Sequence, residues 1–241
     1  MKVIVVKDYQ ELSKTAAGIF AQDIKAKPDI RLGLATGSTP IGMYKELIDM
    51  YKNGDVDFSK VYTFNLDEYY PIEPSNDQSY IYFMKNNLFN HININMENVH
   101  IPNGLAEDID TECKNYDKTI EDFGGIDIQL LGVGRNGHIG FNEPADEIVA
   151  GTHQTSLDED TIEANARFFN SKDDVPTKAI TMGVGPILKA KKIVVLMSGA
   201  NKNPAFKKLT SGVVTTKCPV TLLNLHNDAI IIADEAAATG K

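Results

Sequence analysis

The sequence is short of the features that would tie it to a membrane, a nucleic acid, a metal or an oxidising compartment. Among its 241 residues are only two cysteines, Cys113 and Cys218. They are too few and too far apart for a disulfide framework, and the expectation is a reduced, cytoplasmic chain with incidental thiols. Positive charge is scarce: 24 Lys and Arg against 33 Asp and Glu leave a formal charge of -9. That is the wrong sign for a nucleic-acid or anionic-membrane surface. No apolar run approaches the roughly 20 residues of a membrane span, and the apolar stretch within MKVIVVKDYQEL is too short for the core of a signal peptide. No Cys and His residues cluster at metal-ligand spacing. No Gly-Lys-Ser/Thr follows the glycine turns, and Gly183-Val184-Gly185 lacks the third glycine of a dinucleotide fingerprint. Neither a metal nor a cofactor is expected. What remains admissible is an anionic small molecule, which a few local cations and helix N-termini suffice to hold.

What is present is βα alternation. The hydrophobic content of 42% supports one sizeable core, in one α/β domain or two small ones; a single domain over 1–241 is the expectation. Val3 to Val6 reads as a buried strand. Asp8 with Glu11 resembles a capping box that opens a helix through Leu12, Ala16, Ile19 and Phe20. Ile30 to Ala35 is a strand running into Thr36-Gly37-Ser38-Thr39-Pro40. Pro40 suits the first turn of a helix, with Ser38 or Thr39 at its cap. Such a turn is an anion cradle of free backbone N–H groups, the positive dipole end and two hydroxyls, although most capped βα turns bind nothing. Val61 to Leu66 is a strand that ends in Asp67-Glu68. Carboxylates there suit acid–base work, and for Glu68 a cap on the next element is an equal reading. Tyr80, Phe83 and Leu88 form a packing stripe on a helix from Ser79 to Phe89. Val99 to Ile101 is a short strand, and Ile109 to Phe123 an amphipathic helix that Gly124-Gly125 ends. Residues 145–176 are less periodic and read as a lid or insertion. Strands follow at Ala179 to Met182, Lys192 to Met197 and Ala229 to Ala233, with short helices after Gly183 and from Pro219 to Leu225. The fold class is α/β: a doubly wound, mostly parallel sheet with helices on both faces, Rossmann-like.

The most informative run is Gly132-Val133-Gly134-Arg135-Asn136-Gly137-His138-Ile139-Gly140-Phe141-Asn142-Glu143-Pro144. It follows the apolar segment Ile126 to Leu131, as a buried parallel strand does when it ends in a functional loop. An imidazole and a carboxylate on one glycine-rich loop can converge on a small molecule; a tight turn with a surface histidine is the bland alternative. A further polar turn, Ser198 to Lys202, ends the Lys192–Met197 strand. In a doubly wound sheet these strand ends share one edge. Lys202 and Arg167 can add cations to the anion cradle, although one arginine is by itself an ordinary surface residue. The residues read as a site that handles a phosphorylated small molecule by cofactor-free proton transfer.

The motifs Leu32–Pro40, Thr63–Tyr69, Gly132–Pro144 and Ser198–Lys202 together resemble the glucosamine-6-phosphate deaminase family, over most of the chain. The resemblance implies conversion of glucosamine 6-phosphate and water to fructose 6-phosphate and ammonia, a hydrolytic deamination of an amino sugar phosphate. It implies that Asp67 moves the C2 proton to C1, that His138 opens the sugar ring, and that Glu143 orients His138. It assigns the phosphate to Gly37, Ser38, Thr39, Arg167 and Lys202. Asn136 stands where many relatives carry Asp in the ring-opening relay, so His138 is expected to lean on Glu143 alone for charge. Hexameric relatives carry basic residues for an allosteric activator soon after the FNEP motif, whereas here Gly151 to Ser156 holds no Arg or Lys, and the chain ends soon after its last strand. A monomer active without that activator is expected. The same fold serves 6-phosphogluconolactonases and repressor sugar-phosphate sensors, the alternatives to be weighed. A sensor needs no Asp67–His138–Glu143 set and usually carries a DNA-binding module, for which the chain leaves no room before Val3. Lactone hydrolysis needs no base aimed at C2.

Overall fold

The computed structural model describes residues 1–157 and 175–241. Seven strands form a wholly parallel sheet in the order β1-β10-β9-β6-β2-β3-β5. These are β1 (Lys2–Val6), β2 (Arg31–Leu34), β3 (Tyr62–Asn65), β5 (Val99–His100), β6 (Ile128–Gly132), β9 (Lys192–Met197) and β10 (Ala229–Asp234). Helices α1 (Tyr9–Ala26), α2 (Ile41–Lys52), α3 (Tyr80–Asn87), α4 (Ile109–Asp122), α5 (Val184–Lys189), α6 (Asn203–Thr210) and α7 (Glu235–Thr239) alternate with the strands. Ile128 to Leu131 on β6 and Ile193 to Met197 on β9 are all buried. Successive strand residues point to opposite faces, so both faces of the sheet are covered.

From β2 the chain steps outward through β3 to β5; from β6 it steps the other way through β9 to β10. The reversal between β2 and β6 opens a crevice at their carboxyl ends, where ligands bind in open α/β sheets. The opposite ends are stapled. Asp127 sits just before β6, with its carboxylate 2.7 Å from Lys27 Nζ, 2.8 Å from Arg31 Nε and 2.8 Å from Lys191 Nζ. These cations together outweigh the cost of burial and hold its pKa well below the usual carboxylate range.

Several sequence expectations need correction. The Val3–Val6 segment is not buried: β1 is the edge strand, and Val5 is 52% exposed. A run of β-branched residues specifies a strand and not its place in the sheet. Asp8 does cap α1, accepting from Glu11 N at 2.9 Å, while Glu11 accepts from Lys7 N. Pro40, however, occupies the cap position of α2 itself, and neither Ser38 nor Thr39 supplies a side-chain cap. The phenol of Tyr9 holds that turn instead, accepting from Gly42 N at 2.8 Å and reaching the carbonyls of Ser38 and Thr39. The short helix expected from Pro219 to Leu225 is present, as a 3-10 helix.

A second sheet, absent from the sequence reading, is antiparallel: β4 (Asp67–Tyr70), β8 (Lys178–Thr181) and β7 (His153–Ser156), in the order β4-β8-β7. The chain leaves the large sheet at Leu66, whose N–H still donates to Leu34 O, and enters the small one at Asp67. Strand β7 falls within the stretch read as a lid or insertion; the rest of that stretch from 158 to 174 lies outside the described residues. Among the described residues no helix is long and apolar enough to cross a membrane.

Candidate active site

The four polar strand ends do meet on one edge, because β2, β3, β6 and β9 run parallel. The loop after β6 folds back on itself. Gly134 N donates to His138 O and Gly137 N to Gly134 O. The imidazole of His138 lies so close over Gly134 that a Cβ there would fall 2.3 Å from the ring; only glycine admits it. His138 Nδ1 stands 2.8 Å from Glu143 Oε1. Asn136 Nδ2 donates to the other Glu143 oxygen at 2.7 Å, and Asn136 Oδ1 accepts the His138 backbone N–H at 3.1 Å. The loop thus turns three polar side chains into one unit, with Glu143 at its hub. Burial alone would raise the Glu143 pKa, but the His138 and Asn136 contacts outweigh it and hold Glu143 below its ordinary value.

Asp67 opens β4 and is buried at 6% exposure. Among the described residues no donor reaches its carboxylate. Burial first, and the neighbouring Glu68 carboxylate second, push its pKa up to about 8. A carboxylate poised near neutrality is suited to take a carbon-bound proton and give it back. Its Oδ2 faces the His138 loop, 3.6 Å from where a Cβ on Gly140 would stand.

Glu68 has a different task. Strand alternation turns it to the opposite side of β4 from Asp67, and its oxygens accept from Tyr69 N, Tyr80 N and Ile81 N at 2.8 to 3.1 Å. It satisfies the first amides of α3. Of the two readings open for it, the cap is the one the hydrogen bonds match.

The phosphate candidates fall as follows. Gly37, Ser38 and Thr39 lie in the turn after β2, with Gly37 at φ +94°. Neither hydroxyl caps the helix that follows. Lys202 lies in the turn after β9 and is half-buried. Burial and then the positive charge of Arg135 lower its pKa, so two cations stand near one another on this edge. Arg135 was not singled out from the sequence, where it reads as one more polar loop residue. Arg167 lies outside the described residues. Sequence reasoning also missed two organising groups. Asp234, at the end of β10, accepts from Ser198 Oγ at 2.5 Å, from Gly199 N at 3.0 Å and from Ala237 N at 2.7 Å, fixing the turn that precedes Lys202. Thr181, at the end of β8, is fully buried and accepts from Phe141 N at 3.0 Å. Both links span more than 30 residues, and no local pattern announces them.

Residues 7–232 match the family model described as glucosamine-6-phosphate isomerases/6-phosphogluconolactonase. A glucosamine-6-phosphate deaminase of Clostridium perfringens (strain 13 / Type A) is 60% identical over 238 residues, covering 99% of this chain and 98% of the relative. One from Thermoanaerobacter sp. (strain X514) is also 60% identical, over 239 residues, covering 99% and 94%. A solved structure described as a monomeric glucosamine-6-phosphate deaminase superposes with a TM-score of 0.96 at 44% identity over the whole of both chains. A 6-phosphogluconolactonase from Thermotoga maritima shares the fold, with a TM-score of 0.76 at 18% identity over 97% of this chain and 98% of that one. The chain belongs to the family of glucosamine-6-phosphate isomerases and 6-phosphogluconolactonases.

Proposed function

We propose that this protein is a glucosamine-6-phosphate deaminase that works without metal or cofactor. The observation that carries the reading is the buried Asp67 carboxylate, raised toward neutrality and set across from the His138–Glu143 pair. A lactonase needs an activated water and has no use for a base of this kind at C2. A sensor needs neither group.

In this reading the phosphate rests on the Gly37–Thr39 turn, with Lys202 and Arg167 as its cations. His138 passes the C1 hydroxyl proton to the ring oxygen, and the C1–O5 bond breaks to give the open-chain aldehyde. Glu143 stabilises the imidazolium formed on the way. Asp67 then takes the C2 proton, giving an enolamine whose C1 oxygen gains a proton as the nitrogen gives one up, and returns its proton to C1, leaving a C2 imine. Water adds to that imine and ammonia departs, giving the ketose phosphate. Water enters and ammonia leaves, so the net change is a hydrolytic deamination reached through an aldose–ketose shift. Each positioned acid or base contributes roughly 10² to 10⁴ in rate. The enzyme acts as a cytoplasmic monomer.

Ammonia release from glucosamine 6-phosphate by the purified protein is the direct test. Release with co-production of fructose 6-phosphate supports the reading. No release, or hydrolysis of 6-phosphogluconolactone in its place, overturns it.

A further inference from the structure

We infer that Thr181 is a positioning residue that sets the C2 base against the ring-opening pair. The inference rests on the site reading above and assigns a role to a residue outside it. The two catalytic groups come from different sheets. Asp67 belongs to the small antiparallel sheet, and His138 and Glu143 to the loop after β6 of the large one. Something must lock one sheet to the other, since a misplacement of about 1 Å costs on the order of 100-fold in rate.

Thr181 meets both halves. Its backbone is the β8 partner of Asp67 in the antiparallel ladder. Its Oγ1 accepts the Phe141 N–H at 3.0 Å, in the segment between His138 and Glu143. A Cβ on Gly140 would lie 3.0 Å from Thr181 Oγ1 and 3.6 Å from Asp67 Oδ2, so the hydroxyl and the carboxylate flank the same glycine of the His138 loop. The next residue strengthens the joint. Met182 N donates to Leu66 O at 2.6 Å, and Met182 O accepts from Asn142 Nδ2 at 2.9 Å. Asn142 Nδ2 also donates to Ile139 O. A fully buried strand position next to apolar Ile180 and Met182 would suit valine as well as threonine by shape and β preference. The hydroxyl is what a valine cannot supply.

The test compares Thr181→Val and Thr181→Ser with the wild type, using glucosamine 6-phosphate carrying hydrogen or deuterium at C2, with Asp67→Asn alongside. Thr181→Val is expected to lower kcat about 10- to 100-fold while KM stays within about threefold. The C2-deuterium effect on kcat is expected to grow, because the base no longer lies in line with the C2–H bond. Thr181→Ser keeps the acceptor and is expected to restore kcat to within about threefold, with the wild-type isotope effect. Gly140→Ala, which pushes on the same hydroxyl without removing it, should enlarge the isotope effect likewise and serves if the valine variant does not fold. A valine variant with wild-type kcat and isotope effect, and a lowered melting temperature alone, would reduce Thr181 to a structural residue. If Asp67→Asn is inert in that same experiment, only the positioning role is lost. An Asp67→Asn variant with normal turnover would remove the site reading, and this inference with it.

Discussion

At the scale of single residues, protonation decides what the site can do. The fold favours Asp67 in its neutral form: its pKa rises to about 8 from an ordinary 3.8. Between those values the folded chain binds more protons than the unfolded one, so this residue's contribution to stability falls as pH rises through that window. Asp67→Asn should therefore melt at a higher temperature than the wild type at pH 8 and at the same temperature near pH 4, by differential scanning calorimetry. The same variant should bind substrate with KM changed less than about threefold and lose at least about 100-fold in kcat, because its missing group acts in the transition state. The wild-type kcat/KM should climb with pH well above the ordinary carboxylate range. Asn136 yields a second prediction. Its amide donates to Glu143 at 2.7 Å, which an aspartate cannot do. Asn136→Asp would put two carboxylates side by side, so that one holds its proton to higher pH. A pH–rate profile should show lower kcat at pH 7 and an optimum displaced upward; an unchanged profile would mean that the amide does not tune the relay.

Among the secondary-structure elements, two carboxylates hold the scaffold at places a local reading would leave blank. Glu68 joins β4 to the first turn of α3 through the Tyr80 and Ile81 N–H groups and also accepts from Tyr69 N on its own strand. Its burial and these bonds pull in opposite directions, and burial wins, raising its pKa to about 7. Glu68→Ala would strand those amides without an acceptor and should cost about 1–3 kcal/mol by urea denaturation. Asp127 ties the starts of β2 and β6 to Lys27 and Lys191. Asp127→Ala leaves clustered cations without their anion and should cost about 3 kcal/mol. Asp127→Ala, assayed below its melting temperature, should keep a kcat within about threefold of wild type, whereas Glu68→Ala also removes a negative charge that helps raise the Asp67 pKa and should move the rise of kcat/KM to lower pH.

For the whole molecule, the expectation is independence. Gly151 to Ser156 carries no Arg or Lys, and His153 in that stretch directs Nδ1 to Gly151 O. Substrate saturation should be hyperbolic and unmoved by N-acetylglucosamine 6-phosphate, and light scattering should report a mass near 26.5 kDa. Sigmoidal kinetics that straighten on adding the acetylated sugar phosphate would show that an activator site survives.

The sequence by itself determined the strands and the candidate residues at their ends. Apolar strands buried on both faces announce themselves by continuous runs such as Lys192 to Met197, and a strand that ends in glycines and ionisable groups announces a site, because these signals are local. Asp67, Asn136, His138, Glu143 and Lys202 stand out as candidates for that reason, and the roles proposed for them come from the family resemblance. Tertiary structure alone decided which segments became neighbours. It placed the Val3–Val6 strand at an exposed edge, reversed the winding between β2 and β6, and split Asp67 off into an antiparallel sheet with Thr181. It also drew the Glu68 carboxylate onto the amides of α3. Such pairings join residues far apart in the chain through register and hydrogen bonds, and register between distant strands leaves no periodicity in a single sequence to be read.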